Sequence, residues 1–112
     1  MTPRLKTSVW VTSQTRLCDI NCIPAYIIRK GDADAGVVLM KLIRKGGLVE
    51  VFAQTRTMDG RLGWLRGAGG GPVDEAAADD YIRRQVNFDP DIWVVEIEDP
   101  DGRYELDGEV VS

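Results

Sequence analysis

The chain has 112 residues, of which 44% are hydrophobic and 29% charged, and its net charge is −4. That length supports one core rather than two, and that composition excludes a disordered chain or one that needs a disulfide or metal staple because of its size. There is no histidine, which excludes a histidine base, Ser-His-Asp and Cys-His arrangements and the common zinc sites.

A single domain is expected over residues 1–112, with a core at about 4–106 and a frayed tail at 107–112. The first helix is expected from Thr7 or Ser8 as a cap to about Asn21. Trp10, Val11, Leu17, Cys18 and Asn21 fall near one stripe, and Pro24 suits the break that follows. Residues 25–30, Ala-Tyr-Ile-Ile-Arg-Lys, read as a strand, and residues 31–36 as a turn.

Residues 36–44 form the second expected strand. Val37, Val38, Leu39 and Met40 are apolar on both faces, which puts this strand in the middle of a sheet. Gly46-Gly47 then reads as a two-residue hairpin turn, with Lys45 opposite Leu48 and Leu42 opposite Val51. In that register Met40, Leu42, Val49, Val51 and Ala53 share one face, while Lys41, Glu50 and Phe52 share the other.

Residues 58–72 hold six glycines and one proline and read as a long flexible loop, with Trp64 and Leu65 as a short strand or an anchoring patch. Residues 74–87 read as the second helix. Asp74 and Glu75 suit its positive end, and Ala77, Ala78, Tyr81, Ile82 and Val86 recur at helical spacing. Residues 92–98 form a strong strand with Trp93, Val95 and Ile97 on one face. Residues 99–102 turn, and residues 104–106 return as a short edge strand. The expected fold is α+β: two helices on a small mixed, mostly antiparallel sheet of about four to six strands, in the order α-β-β-β-(loop)-α-β.

The charge is uneven along the chain. Residues 1–72 hold 11 Lys/Arg and 5 Asp/Glu, a balance of +6, while residues 73–112 hold 3 and 13, a balance of −10. Two segments interleaved in one fold would neutralise each other. The basic N-terminal residues are followed by no apolar run, and Lys41 interrupts the densest apolar stretch, so neither a secretory signal nor a membrane span is expected and the cytoplasm is the expected compartment.

Candidate chemistry is sparse. Gly67-Ala68-Gly69-Gly70-Gly71-Pro72 precedes a helix but lacks the Lys-Ser/Thr of a phosphate loop, and Asp74 and Glu75 would repel a phosphate. Cys18 and Cys22, four apart, have no further Cys or His to complete a metal site and read as small buried side chains. The element order matches the restriction-endonuclease-like nuclease core, in which Asp34, Glu50 or Glu96 would hold a metal. Phe52 stands where that motif needs its lysine, so a degenerate metal-dependent nuclease or hydrolase is only the alternative reading.

Arg56, Arg61 and Arg66 flank Trp64, a pattern that can hold single-stranded nucleic acid, but the acidic chain argues against such a partner. The candidate interaction surface is therefore Arg61, Trp64 and Arg66, with Trp64 either docked on the chain's own sheet or anchoring a partner. The partner would be another protein or a second copy. No catalytic, cofactor-binding or metal-binding residue is assigned.

Several segments together carry a resemblance. Arg4-Leu5-Lys6 with Val9-Trp10-Val11, the stretch Ile28-Arg29-Lys30-Gly31-Asp32-Ala33-Asp34-Ala35-Gly36, Asp59-Gly60-Arg61 to Gly63-Trp64, and Phe88-Asp89-Pro90-Asp91-Ile92-Trp93-Val94-Val95-Glu96 resemble the short alphaproteobacterial proteins grouped as domain-of-unknown-function family 1491. The resemblance runs from about Arg4 to Leu106. It implies a stand-alone bacterial domain and no activity, so there are no catalytic residues to carry over. The expected function is that of a non-catalytic interaction or adaptor domain.

Overall fold

The computed structural model describes residues 5–111; Arg4 and Ser112 lie outside the described residues. Helix α1 (Thr7–Ile20) is followed by strands β1 (Ala25–Arg29), β2 (Val38–Ile43), β3 (Leu48–Arg56), β4 (Leu62–Arg66) and β5 (Val73–Asp74). Helix α2 (Glu75–Phe88) and strands β6 (Trp93–Glu98) and β7 (Glu109–Val110) complete the described chain. Two helices and a mixed sheet of seven strands make this an α+β fold, with more strands than expected. The strand order is β1-β6-β2-β3-β4-β7, with β5 paired to β3. β2 is central, as its two apolar faces require, and the crossover through α2 sets β6 parallel to it.

The helices lie on opposite faces. α1 buries Trp10, Val11 and Cys18 against Val38, Met40, Leu42, Phe52, Trp64, Trp93, Val95 and Ile97. On the other face, Ile82 and Val86 of α2 pack on Leu39, Ile92 and Val94, while Ala78 packs with Val49 and Val51. Leu17 and Asn21, expected on the buried stripe of α1, are exposed. Cys22, expected to be buried, is exposed as well: it takes a left-handed φ of 58° after the helix ends, while Cys18 is buried.

The β2–β3 register differs from the expected one by a single residue. Met40 lies opposite Phe52 and Leu42 opposite Glu50, because Lys45 joins Gly46 and Gly47 in the turn and Arg44 closes it by donating from N–H to the Leu48 carbonyl. A shift of one residue exchanges faces. Phe52 therefore joins Met40 and Leu42 under α1, and Lys41 moves to the α2 face with Val49 and Val51.

Residues 58–72 are not a flexible loop. β4 runs through them, paired with β3 from Phe52–Arg66 to Arg56–Leu62. Their glycines serve geometry instead: Gly60, Gly69 and Gly70 take positive φ values of 83–89° in turns, and a Cβ on Gly67 would meet the Tyr81 ring at 2.7 Å. The C-terminal segment differs too. Residues 104–106 form no strand, and the residues expected as a frayed tail supply β7, parallel to β4.

The basic and acidic stretches do neutralise each other. Lys41 pairs with Glu75, Asp79 and Glu96, Arg44 with Asp99, and Arg61 with Glu109. No helix among the described residues is long and apolar enough to cross a membrane.

Candidate interaction cleft

Thr7 and Ser8 begin α1 without a side-chain cap. Their N–H groups donate instead to the carbonyls of Asp34 and Ala33, at 3.2 and 2.9 Å. The Thr7 hydroxyl donates to the Gly36 carbonyl at 2.8 Å. The first turn of α1 is thus held against residues 33–36. Across from it, β3 ends and the β3–β4 turn begins. Asp59 orders that turn by accepting from the Thr57 hydroxyl at 2.7 Å and from Arg61 at 3.0 Å. Those two contacts, the hydroxyl first, hold the Asp59 carboxyl below its ordinary pKa.

Between these elements lies a cleft of about 630 Å³. Leu5, Trp10, Val37 and Leu62 give it apolar surface, and Lys6, Arg56 and Arg61 give it cationic groups. Asp107 closes one wall and ties two tryptophans together. Its carboxylate accepts from the Trp10 indole N–H and its carbonyl from the Trp64 indole N–H, both at 2.9 Å. The two rings lie 5.6 Å apart and tilted by 41°, a separation at which tilted aromatic pairs attract. With both indole N–H groups bonded, the apolar bodies of these rings can be buried at no polar cost.

The three residues of the expected interaction surface go to different places. Trp64 is completely buried, beside Trp10 and bonded to Asp107. Arg61 is exposed and lines the cleft. Arg66 lies at the other end of β4, paired with Glu50 at 3.2 Å and 5.3 Å from the centre of the Phe52 ring. Lys6, Trp10, Leu62 and Asp107 were not identified from sequence. They come from three separate segments, the start of α1, β4 and the C-terminal stretch, and the indole-to-Asp107 bonds tie the first two to the third.

The carboxylates of the nuclease-like alternative do not meet. Asp34 pairs with Lys6 at 3.7 Å at the start of α1, and Glu50 pairs with Arg44 at 2.9 Å on the α1 face. Glu96 pairs with Lys41 on the α2 face. Among the described residues, no three Asp, Glu, Cys or His side chains are placed to hold a metal. That alternative is not supported.

Two other ionisable groups are removed from chemistry. Burial first, then the nearby Asp99, raises the Cys18 thiol above its ordinary pKa, which leaves it protonated and inert. Lys41 Nζ contacts Asp79 at 2.7 Å, Glu75 at 2.8 Å and Glu96 at 3.2 Å. Burial would lower its pKa, but those three carboxylates outweigh it and hold the ammonium above its ordinary value. A lysine held charged cannot act as a base or nucleophile at neutral pH.

The model of a family described as protein of unknown function, DUF1491, matches residues 5–107. The chain belongs to the DUF1491 family. A crystal structure of a DUF1491 protein from Caulobacter crescentus CB15 is similar at 39% identity over 96% of this chain and 99% of that one, with a TM-score of 0.84. An NMR structure of a DUF1491 protein from the same organism is similar at 38% identity over 99% and 100%, with a TM-score of 0.83. A solution structure of an A. tumefaciens protein shares the fold, at 21% identity over 93% and 90% and a TM-score of 0.72. No curated protein matches the chain.

Two of the segments that carry the DUF1491 resemblance meet beside the cleft. Asp32 N–H donates to the Asp91 carbonyl at 3.0 Å, and the Trp93 indole donates to the Asp32 carbonyl at 2.7 Å. A Cβ on Gly31 or Gly36 would lie 2.0 or 2.4 Å from that same Asp91 carbonyl, so only glycine permits this approach. In this DUF1491 chain the two motifs are one structural joint, and the joint supports the first turn of α1.

Proposed function

We propose that this chain is a non-catalytic interaction domain of the bacterial cytoplasm. Its α1-face cleft takes an extended segment of another protein in which a large apolar side chain stands beside carboxylates. The observation that carries this reading is the composition of the cleft: apolar surface from Leu5, Trp10, Val37 and Leu62, rimmed by Lys6, Arg56 and Arg61. A few polar groups around an apolar floor suit a site that binds by burial and orients by charge.

The rim can exchange partners at low cost. Lys6 and Arg61 are paired with Asp34, Asp59 and Glu109, and every member of these pairs is more than half exposed. Exposed pairs of this kind add little to stability, so a partner's carboxylates can replace them. The chain's acidic balance argues against nucleic acid as the partner. Two unpaired thiols suit a reducing compartment.

Selection of a displayed random-peptide library on the immobilised full chain tests the proposal. The expected result is enrichment of peptides with an aromatic or large aliphatic residue next to Asp or Glu. Lys6→Glu with Arg61→Glu should weaken their binding by about tenfold or more and leave the thermal midpoint unchanged. No enrichment, or binding indifferent to the double substitution, would overturn the reading.

A further inference from the structure

The two edges of the sheet are treated differently. β7 is two residues long and carries Glu109, which pairs with Arg61. Short, charged edges resist pairing with other chains. β1, at the opposite edge, is five residues long. Tyr26, Ile27 and Ile28 are consecutive and 48%, 39% and 57% exposed. No charged residue precedes Arg29 in the strand, and Arg29 is turned back, its guanidinium donating to the Pro90 and Ile92 carbonyls at 2.7 and 2.8 Å.

The backbone of β1 has a defined set of free groups. It pairs antiparallel with β6, Ala25 opposite Ile97 and Tyr26 opposite Glu96. The Pro24 carbonyl accepts from Glu98 N–H at 2.9 Å. Bonded and non-bonded pairs alternate along an antiparallel ladder, so Tyr26 also bonds toward β6 while Ala25 and Ile27 turn their N–H and C=O groups outward.

We propose that β1 pairs with β1 of a second copy of this chain, antiparallel, about a twofold axis at Tyr26. In that register Ala25 lies opposite Ile27 of the second copy and Ile27 opposite its Ala25, so every outward group of these two residues finds a partner. Tyr26 faces Tyr26 of the second copy, a favourable cross-strand aromatic pair. A register irregularity between Ile27 and Arg29 ends the regular ladder, so the new pairing is confined to Ala25, Tyr26 and Ile27 and sets no charged residues opposite each other. This self-complementarity is what selects a second copy over an unrelated strand. Three half-exposed side chains on a five-residue strand fall short of the roughly 800 Å² per partner of a standard interface, which makes the pair weak and concentration-dependent.

Sedimentation equilibrium from micromolar to millimolar protein, with amide exchange at both ends of that range, tests it. The expected result is a monomer–dimer equilibrium in which the Ala25 and Ile27 amides gain protection as concentration rises. Tyr26→Lys sets two ammonium groups against each other at the axis and should weaken the dimer by about tenfold or more. Tyr26→Phe should retain it, and both variants should keep the wild-type thermal midpoint in dilute solution. A wild-type chain that stays monomeric at millimolar concentration would overturn the proposal. So would a dimer that Tyr26→Lys leaves intact, or one whose Ala25 and Ile27 amides stay unprotected.

Discussion

The two faces of the sheet are held by different physics. Between α1 and the sheet lie three tryptophans, one from the helix and two from strands, and each indole N–H is bonded, to Asp107 or to the Asp32 carbonyl. Burial supplies the energy there, and the indole bonds supply the orientation. Under α2 the apolar contacts are smaller, and the centre is Lys41, 7% exposed, held by carboxylates from α2 and β6. A central ionic contact of this kind adds little net stability, because desolvation offsets attraction, but its geometry places the helix. The cleft opens on the face where packing provides the stability. On its rim Lys6 and Arg61 stand in exposed ion pairs that add little to stability.

Trp64→Ala breaks the α1 face most directly. It removes a completely buried indole and its bond to Asp107, and should cost about 3–5 kcal/mol by denaturant unfolding. Trp93→Ala, at 5% exposure and with its indole on the Asp32 carbonyl, belongs to the same class.

Lys41→Met tests the α2 face and should cost less, about 2 kcal/mol. Glu75 and Asp79 are 57% and 49% exposed and can turn to water, leaving mainly Glu96, 18% exposed, without its partner. Adding Glu96→Gln should restore most of that loss. A loss of 4 kcal/mol or more that Glu96→Gln did not relieve, judged against the usual range for a broken buried pair, would show that the α2 face depends on the lysine as the α1 face depends on tryptophan.

Alkaline pH sharpens the comparison, because each face holds one group that ordinarily titrates near pH 10 and whose pKa is raised in the folded state. On the α2 face it is Lys41, where three carboxylates outweigh burial. On the α1 face it is Tyr104, which burial raises first and the neighbouring Cys18 and Asp107 raise further. A raised folded-state pKa means the folded chain holds its proton more tightly. The stability linked to each group is therefore complete below its unfolded pKa, about 10 for tyrosine and 10.4 for lysine, and is lost as pH rises through the higher folded value. Unfolding followed from pH 8 to 12 should show stability falling from about pH 8.5, where the buried Cys18 thiol begins the loss, and more steeply above about pH 10. Lys41→Met and Tyr104→Phe should each flatten part of that fall.

Much of the fold was legible because local signals agreed with it. Asp74 and Glu75 do stand at the positive end of α2, where Asp74 accepts from Ala77 N–H at 2.8 Å, and the alternation of Trp93, Val95 and Ile97 does point to one core. Reading failed where one residue type serves two ends. Glycines in residues 58–72 looked like flexibility, yet they meet conformational and steric demands around a paired strand. Gly46-Gly47 looked like a complete turn, but Lys45 belongs to it, and the slip moved Phe52 to the other face.

The site was legible only in part. Period-two alternation puts Trp64 and Arg66 on one face of β4 and leaves Arg61 in the preceding turn, so a cluster contiguous in sequence is dispersed in space. Asp107, which assembles the cleft wall, is about 40 residues or more from both tryptophans it binds, a pairing that no local pattern announces.

The central claim is that the α1-face cleft binds and the α2 face does not. Titration of isotope-labelled chain with a library-selected acidic-apolar peptide, followed by two-dimensional NMR, tests it most directly. The account predicts that the Trp10 indole and the backbone amides of Lys6, Arg61 and Leu62 shift together, that α2 and the Lys41 neighbourhood stay still, and that Lys6→Glu with Arg61→Glu raises the titration midpoint by about tenfold or more. Shifts gathered on α2, or a midpoint at the cleft that the double substitution leaves unmoved, would contradict it.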